Sequence, residues 1–193
     1  MRTLLRPLLV LFLLLMLITG VIYPVIFTGI AGVLFPEQAA GSIVTRDGKP
    51  VGSRLIGQAF SDPKYFWGRP SATTPQPYNG VGSTGSNLGP LNPALTDGIR
   101  ARIAALHAAD PTNHAALPVD LVTASGSGLD PEESLAAAYY QSARVARAWG
   151  LPTEVVDGLI AAHAKGRRFG FLGEPRVNVL ELNLALDRLK PSR

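Results

Sequence analysis

A long uncharged stretch near the N-terminus constrains this chain more than any other feature. No Asp, Glu, Lys or Arg occurs from Pro7 to Pro36. Crossing a hydrocarbon core roughly 30 Å thick takes about 20 helical residues, so this run is long enough to span a bilayer. A cleaved signal peptide also begins with charge, but its apolar region is normally about 7–15 residues long. The run therefore predicts a membrane-spanning helix that the mature protein retains.

The charges on either side of this run predict its orientation. Arg2 and Arg6 precede the run, and Glu37 is the first charged residue after it. Positively charged flanks favour the cytoplasmic side of a membrane. We therefore expect residues 1–36 to form a cytoplasmic stub and a single transmembrane helix, and residues 37–193 to form an extracytoplasmic domain.

Within the apolar run, small or helix-breaking residues recur at every fourth position: Gly20, Pro24, Thr28 and Gly32. This spacing places the four residues on one face of a helix. Helices in lipid associate by close packing, which small residues permit, because burying apolar surface gains little there. These four residues are our candidates for contact with a partner subunit, and the alternative is a chance spacing of residues common in spanning helices. Pro24 also predicts a bend.

The residues after the anchor predict one α+β domain that is rich in helices. A chain of 193 residues has room for one ordinary domain besides the anchor. Capping residues and apolar residues at spacings of three and four predict the helices, whereas short apolar pieces bounded by turn residues predict the strands. The predicted helices cover residues 93–109, 130–149, 152–165 and 178–189, and the predicted strands cover residues 42–45 and 54–58. We expect the final helix to dock on the core.

Charge and cysteine content exclude several classes of function. The formal net charge is +4, and both Arg2 and Arg6 lie before the anchor. Nucleic-acid binding depends on clustered Lys and Arg side chains that displace counterions from phosphates, so we expect no nucleic-acid partner. The chain has no cysteine, which excludes disulfides, thiolate catalysis and thiolate metal ligands.

Motifs for cofactors and catalysis are incomplete in this chain. Residues 80–85 match the letters of a dinucleotide fingerprint, but the prolines around them oppose the strand–turn–helix that such a site requires. The three histidines lack the short spacing that places two metal ligands on one helical turn. The segment Gly126-Ser127-Gly128 is not a nucleophile elbow, and Ala124 stands where such a pattern ending at Gly128 would need its first glycine. We expect no catalytic, cofactor or metal site, and a Ser–His–Asp triad assembled in space stays open.

Five clusters of Gly, Asn, Pro and aromatic residues are too particular to be generic loops. They follow one another in the chain at 57–60 (GQAF), 65–72 (YFWGRPSA), 86–90 (SNLGP), 120–131 (DLVTASGSGLDP) and 173–180 (GEPRVNVL). Together with the N-terminal anchor, they closely resemble the KdpC family, the C subunits of bacterial Kdp potassium-transporting P-type ATPases. The resemblance spans essentially the whole chain. Two positions depart from the family pattern, since Thr84 replaces a usual glycine and Leu135 replaces a frequent proline.

The resemblance implies an accessory subunit in a bacterial inner membrane, with its main domain in the periplasm. Its implied partners are a channel-like subunit, a P-type ATPase subunit, a small peptide subunit and the lipid bilayer. The complex is expected to use ATP, Mg and K, and no cofactor is assigned to this chain. The implied role is to assemble or stabilise a high-affinity potassium uptake complex and to raise the ATP affinity of the pump subunit as a catalytic chaperone.

Topology limits how such a chaperone effect could arise. ATP is cytoplasmic, whereas the expected domain lies outside, so the effect would be indirect or would use the residues before Pro7. Neither a P-type phosphorylation motif nor a pore loop is found in the sequence, so we expect no catalytic site of its own. The alternatives are a membrane-tethered periplasmic hydrolase and a binding module.

Overall fold

The computed structural model describes residues 2–189 of the 193-residue chain. The described residues form two compact units that divide between Val51 and Gly52. Helices and short strands are both present, which confirms the predicted α+β class.

The N-terminal unit is dominated by one long apolar helical stretch. Helix α1 covers Arg2–Leu17, a π turn covers Ile18–Ile22 and helix α2 covers Tyr23–Leu34. Together they include a 31-residue stretch, Leu4–Leu34, that is long and apolar enough to cross a membrane and has none of its apolar window buried within the protein. A short helix α3 (Pro36–Ala39) and a hairpin of strands β1 (Ile43–Arg46) and β2 (Lys49–Ser53) follow.

The π turn lies directly before Pro24, where the sequence predicts a bend. Proline has no amide to donate to the carbonyl four residues back, here that of Gly20. The Tyr23 amide donates to the carbonyl of Ile18, five residues back, so this turn is wider than an α-helical turn. The proline is thus accommodated by a local change of helix type.

Four helices and a two-stranded sheet make up the C-terminal unit. They are connected by long irregular segments, of which residues 54–92 form the longest, and by a 3₁₀ turn at Val119–Leu121. Strands β3 and β4 pair antiparallel, with Glu133 opposite Val177. The elements are helices α4 (Pro93–Ala109), α5 (Leu135–Trp149), α6 (Thr153–His163) and α7 (Val179–Leu189) and strands β3 (Glu132–Ser134) and β4 (Arg176–Asn178).

Apolar residues from these helices form the core of the C-terminal unit. Helices α5, α6 and α7 and the loop before α4 contribute to the larger cluster, whose fully buried members include Phe66, Val145, Val156, Ile160, Leu182 and Leu186. A second cluster joins that loop to α4 and α5 through Trp67, Leu106, Leu121 and Ala137. The predicted docking of the final helix on the core is therefore confirmed.

Local capping signals predicted most helix ends well. The Asn92 side chain accepts a hydrogen bond from the Ala94 amide at the start of α4. The Asn178 side chain accepts one from the Glu181 amide at the start of α7, at 3.0 Å. Gly150 ends α5 in the left-handed conformation, with φ of 64°. These ends depend on neighbouring residues, which explains why the sequence alone indicates them.

Two predictions about secondary structure are wrong. Helix α5 begins at Leu135 instead of Asp130, because Glu132–Ser134 pairs with β4 and the Ser134 side chain caps the helix. The segment 54–58 is not a strand, because no neighbouring strand among the described residues pairs with it. It is held instead by single bonds, such as the one from the Gly57 amide to the Leu129 carbonyl at 2.9 Å.

Candidate functional site

Two buried amide side chains bind the main chain of the segment 65–72. Gln141 of α5 accepts from the Trp67 amide at 2.9 Å and donates to the Trp67 carbonyl at 3.1 Å. Asn183 of α7 forms the same two-way pair with Phe66, at 2.9 Å and 3.0 Å. A side-chain amide that both donates and accepts satisfies a residue's backbone much as a neighbouring strand does. The irregular loop is therefore fixed to the helices.

Cationic side chains hold the Trp67 ring in place. The Arg144 guanidinium lies 4.7 Å from the ring centroid, and the Arg102 guanidinium lies 5.2 Å from it. Arg102 also donates to the carbonyls of Gly68 and Leu121, each at 3.0 Å. Burial lowers the pKa of Arg144 to about 10. Both arginines therefore act within the fold as packing and hydrogen-bonding groups.

A cleft of about 810 Å³ opens beside strand β3. Residues of two family-like clusters, 120–131 and 173–180, lie along it together with Arg69 of a third. The structure thus brings together segments that are far apart in the sequence. Its charged lining residues are Arg69, Asp120, Asp130, Glu132, Glu133, Arg168, Glu174 and Arg176. We call this feature the polar cleft.

Two arginines of the polar cleft are paired with its carboxylates. Arg69 lies 3.1 Å from Asp130, and Arg176 lies 2.6 Å from Glu132. Lys165 lies 3.2 Å from the same Glu132 carboxylate. Both arginines are therefore engaged in carboxylate pairs, and these pairs hold the walls of the cleft together.

Glu133 differs from the other acids of the polar cleft because it is only 2% exposed. One carboxyl oxygen accepts from Gln141 at 3.0 Å, and the other has no hydrogen-bond partner among the described residues. Burial, together with the nearby Asp120 carboxylate, raises the pKa of Glu133 well above 4.5. Burial thus favours the neutral form of this carboxyl group, and the neutral form is both a hydrogen-bond donor and an acceptor.

The part of the chain that the structure describes includes the serine, histidine and glycine-rich segments that the sequence raised for catalysis, metal binding or cofactor binding. Within it, no group of three or more His, Asp or Glu side chains is placed to hold a metal ion. Ser125 is buried, and its hydroxyl has no partner among these residues. The ring of His163 is bonded to the Leu159 carbonyl of its own helix, at 2.9 Å. The segment 80–85 lies in an irregular loop with no strand directly before it and no helix directly after it.

The predicted subunit-contact residues lie at the wide turn and in α2. Gly20 is in the π turn, and Pro24, Thr28 and Gly32 are in α2. In an α-helix, four residues turn by about 400°, so a stripe with this spacing drifts by about 40° at each step. A π turn contains more residues than an α-helical turn, so four residues there rotate by less than 360°. This rotation partly offsets the drift in α2 and keeps Gly20 nearer to the face of the other three residues. A Cβ added to Gly20 or Gly32 would meet nothing within 4 Å.

Residues 165–176 form a hairpin, which we call the basic hairpin. Paired main-chain bonds join Lys165 to Arg176, at 2.8 Å and 3.0 Å, and Arg168 to Leu172, at 2.8 Å and 2.9 Å. The sequence patterns do not predict this hairpin, because they place Lys165 at a helix end and Gly173 in a separate cluster. The run Arg-Arg-Phe-Gly-Phe, with aromatic residues beside cations at a glycine turn, is the signal that indicates it.

Glu133 was also missed, because its segment was predicted as the first turn of a helix and forms strand β3. Gln141 and Asn183 were missed because polar residues on amphipathic helices usually face water. The sequence signal that could have indicated Gln141 and Asn183 is their position on the apolar faces of helices α5 and α7. Gln141 lies four residues from both Ala137 and Val145, which are buried. A polar residue at such a position predicts a specific buried partner.

Comparison with known proteins settles the family. The model of the family described as "KdpC: K+-transporting ATPase, c chain" matches residues 5–188. The chain belongs to the KdpC family. A potassium-transporting ATPase KdpC subunit from Variovorax paradoxus (strain S110) is 64% identical over 193 residues, covering 100% of both chains. A KdpC subunit from Polaromonas naphthalenivorans (strain CJ2) is 65% identical over 191 residues, covering 99% of this chain and 97% of the relative.

These matches confirm the resemblance found in the sequence. All five clusters that carry it lie within the residues matched by the KdpC family model. The structure adds that the segment 65–72 is bonded to α5 and α7, and that 120–131 and 173–180 lie along the polar cleft. The family pattern thus coincides with the parts of the C-terminal unit that hold its loops together.

Proposed function

We propose that this KdpC-family chain is an accessory subunit that assembles or stabilises a potassium-transporting ATPase in the bacterial inner membrane. Its partners would be the channel-like subunit, the P-type ATPase subunit and the small peptide subunit. The observation that carries the assembly role is the apolar stretch Leu4–Leu34, which buries none of its apolar window within its own chain. A lone helix with a close-packing face is suited to bind other spanning helices.

The contact in this proposal is the stripe of Gly20, Pro24, Thr28 and Gly32. Open space surrounds Gly20 and Gly32 in the described structure, so another helix backbone has room to approach them. Close approach increases van der Waals contact, on which helix association in lipid depends. The π turn supports this proposal, because such turns are frequent at functional sites.

Replacing Gly20 and Gly32 together by Leu tests this contact. Overpacking costs about 1–3 kcal/mol per site, so we expect recovery of the partner subunits to fall about tenfold or more. The measurement is affinity purification of the tagged chain from membranes, followed by quantification of the co-purified transport subunits. An immunoblot of the membrane fraction shows whether the chain itself is still present.

Gly29→Leu measures the effect of added volume beside the stripe, because Gly29 lies in α2 about 60° around the helix from Gly32, and a Cβ there also meets nothing within 4 Å. We expect this variant to recover more of the partner subunits than the double variant does, because neither glycine of the stripe is replaced. Equal recovery for the double variant and Gly29→Leu would contradict the stripe as a contact. Failure of the unsubstituted chain to recover any transport subunit would contradict the assembly role itself.

Any effect of this chain on the ATP affinity of the pump subunit is proposed to be indirect. ATP, Mg and K belong to the complex in this proposal, and the residues before Pro7 are proposed to be cytoplasmic. A direct effect would therefore have to use Arg2 or Arg6. A reversed topology, which would place the C-terminal unit on the same side as ATP, would contradict this part of the proposal.

A further inference from the structure

The basic hairpin presents large apolar side chains to solvent at its tip. Phe169 is 85% exposed, Phe171 is 71% exposed and Leu172 is half exposed. Exposed apolar clusters bordered by charge commonly mark interaction surfaces. We propose that the basic hairpin binds the anionic headgroup layer of the membrane in which the chain is anchored, with Phe169 and Phe171 at the interface.

The hairpin tip is held in a defined conformation. Arg168 and Leu172 exchange main-chain bonds, which close the loop between them. Phe169 and Gly170 both have positive φ, 54° and 81°. Positive φ is uncommon for a bulky residue such as phenylalanine, and conformations of this kind cluster at binding sites. The fold therefore holds Phe169 at the tip of the hairpin at a cost in backbone energy.

Charge favours a lipid surface as the occupant. The hairpin contains four cations and a single carboxylate, Glu174, but Lys165 and Arg176 are paired with Glu132 of strand β3, which leaves Arg167 and Arg168 for a lipid surface. Arg167 pairs with Glu174 at 2.8 Å, but both side chains are exposed, so this pair contributes little and can exchange partners. Arg168 forms no ion pair with the other described residues. Each cation near an anionic bilayer contributes about 1 kcal/mol.

The apolar stretch, as a membrane anchor, keeps the basic hairpin close to a lipid surface. Residues 35–51 connect the apolar stretch to the C-terminal unit. A tethered group meets its target at a high effective concentration, so weak contacts are sufficient. Phenylalanines beside cations form an amphipathic surface suited to the boundary between headgroups and acyl chains.

A single introduced cysteine tests the proposal, because the natural chain has none. Phe169→Cys in the full chain is labelled with a polarity-sensitive fluorophore and reconstituted alone in nanodiscs that contain phosphatidylglycerol and a lipid-borne quencher. Val81→Cys is the matched control, since Val81 is 99% exposed in a different loop. We expect a blue shift and at least about twofold stronger quenching at position 169 than at position 81.

The contribution of charge is measured in nanodiscs of phosphatidylcholine alone and with Arg168→Glu in the Phe169→Cys background. Both changes should reduce the quenching at position 169 to the level at position 81. Quenching that is equal in the two lipids would contradict an anionic headgroup as the partner. A label that is exposed to water in both lipids would contradict lipid binding. A label that is protected only when the transport subunits are present would also contradict it, and would indicate a protein-binding surface instead. Neither result bears on the assembly role, which has its own readout.

Discussion

At the scale of single residues, Glu133 shows how the C-terminal unit combines burial with polarity. Its carboxyl group is buried next to the Gln141 amide that binds the Trp67 main chain. Burial of an ionised carboxylate is costly, so the folded protein favours the neutral form. The residue thus connects the polar cleft to the loop that Gln141 holds.

Replacing Glu133 by Gln should stabilise the C-terminal unit at neutral pH. The folded-state pKa of Glu133 lies above the ordinary value of 4.5, so its contribution to stability is fully present below pH 4.5 and is lost as the pH rises through the folded-state pKa. Gln stays neutral and removes this loss. We expect a higher denaturant midpoint for E133Q at pH 7, and a difference that shrinks as the pH falls below about 4.5.

Fluorescence of Trp67 and Trp149, both in the C-terminal unit, reports this unfolding. Glu132→Gln is the control, because Glu132 is ion-paired with Arg176 and its replacement should not stabilise the protein. A midpoint for E133Q that is lower than that of the unsubstituted chain at pH 7, or a gain that does not change with pH, would contradict the argument.

At the scale of elements, the start of helix α5 depends on one serine. The Ser134 hydroxyl oxygen accepts from the Ala137 amide at 3.0 Å and donates to Asp120 at 3.2 Å. The Ser134 amide also donates to Asp120, at 2.8 Å. The same residue therefore ends strand β3, caps α5 and holds the 3₁₀ turn.

Ser134→Ala should destabilise the C-terminal unit by about 1–2 kcal/mol, because loss of an N-cap typically costs about that much. Equilibrium denaturation of the detergent-solubilised chain measures the change. Ser134→Thr keeps the hydroxyl and should recover most of the lost stability. If S134A and S134T unfold at the same denaturant concentration, the cap is not the cause.

The elements that the sequence predicts are those with local causes. Asn92 and Asn178 cap helices through amides two and three residues away, so the signal and its effect lie side by side. Strand β3 was missed because its partner β4 lies much later in the chain, and this pairing overrides the helix-start signal at Asp130. The polar cleft and the side-chain amides that bind Phe66 and Trp67 were missed for the same reason.

At the scale of the whole molecule, the proposed function requires the C-terminal unit to lie outside the cytoplasm. Val81→Cys should then react with a membrane-impermeant maleimide in intact spheroplasts, since this side chain is exposed and no other cysteine competes. Thr3→Cys should react only after permeabilisation. The reverse pattern would contradict both the orientation from the positive-inside rule and the indirect effect on ATP affinity.

The two hydrogen bonds between the Asn183 side chain and the Phe66 main chain also have a consequence for the order in which the chain folds during synthesis. Asn183, which bonds both backbone groups of Phe66, is 117 residues later in the chain. Such contacts form late, because a long loop must close before they are made. The apolar stretch is synthesised before Asn183, so the segment between them stays incompletely folded until α7 has been made. A nascent chain that stops before α7 would leave this segment open to proteases and chaperones while it is already held at the membrane.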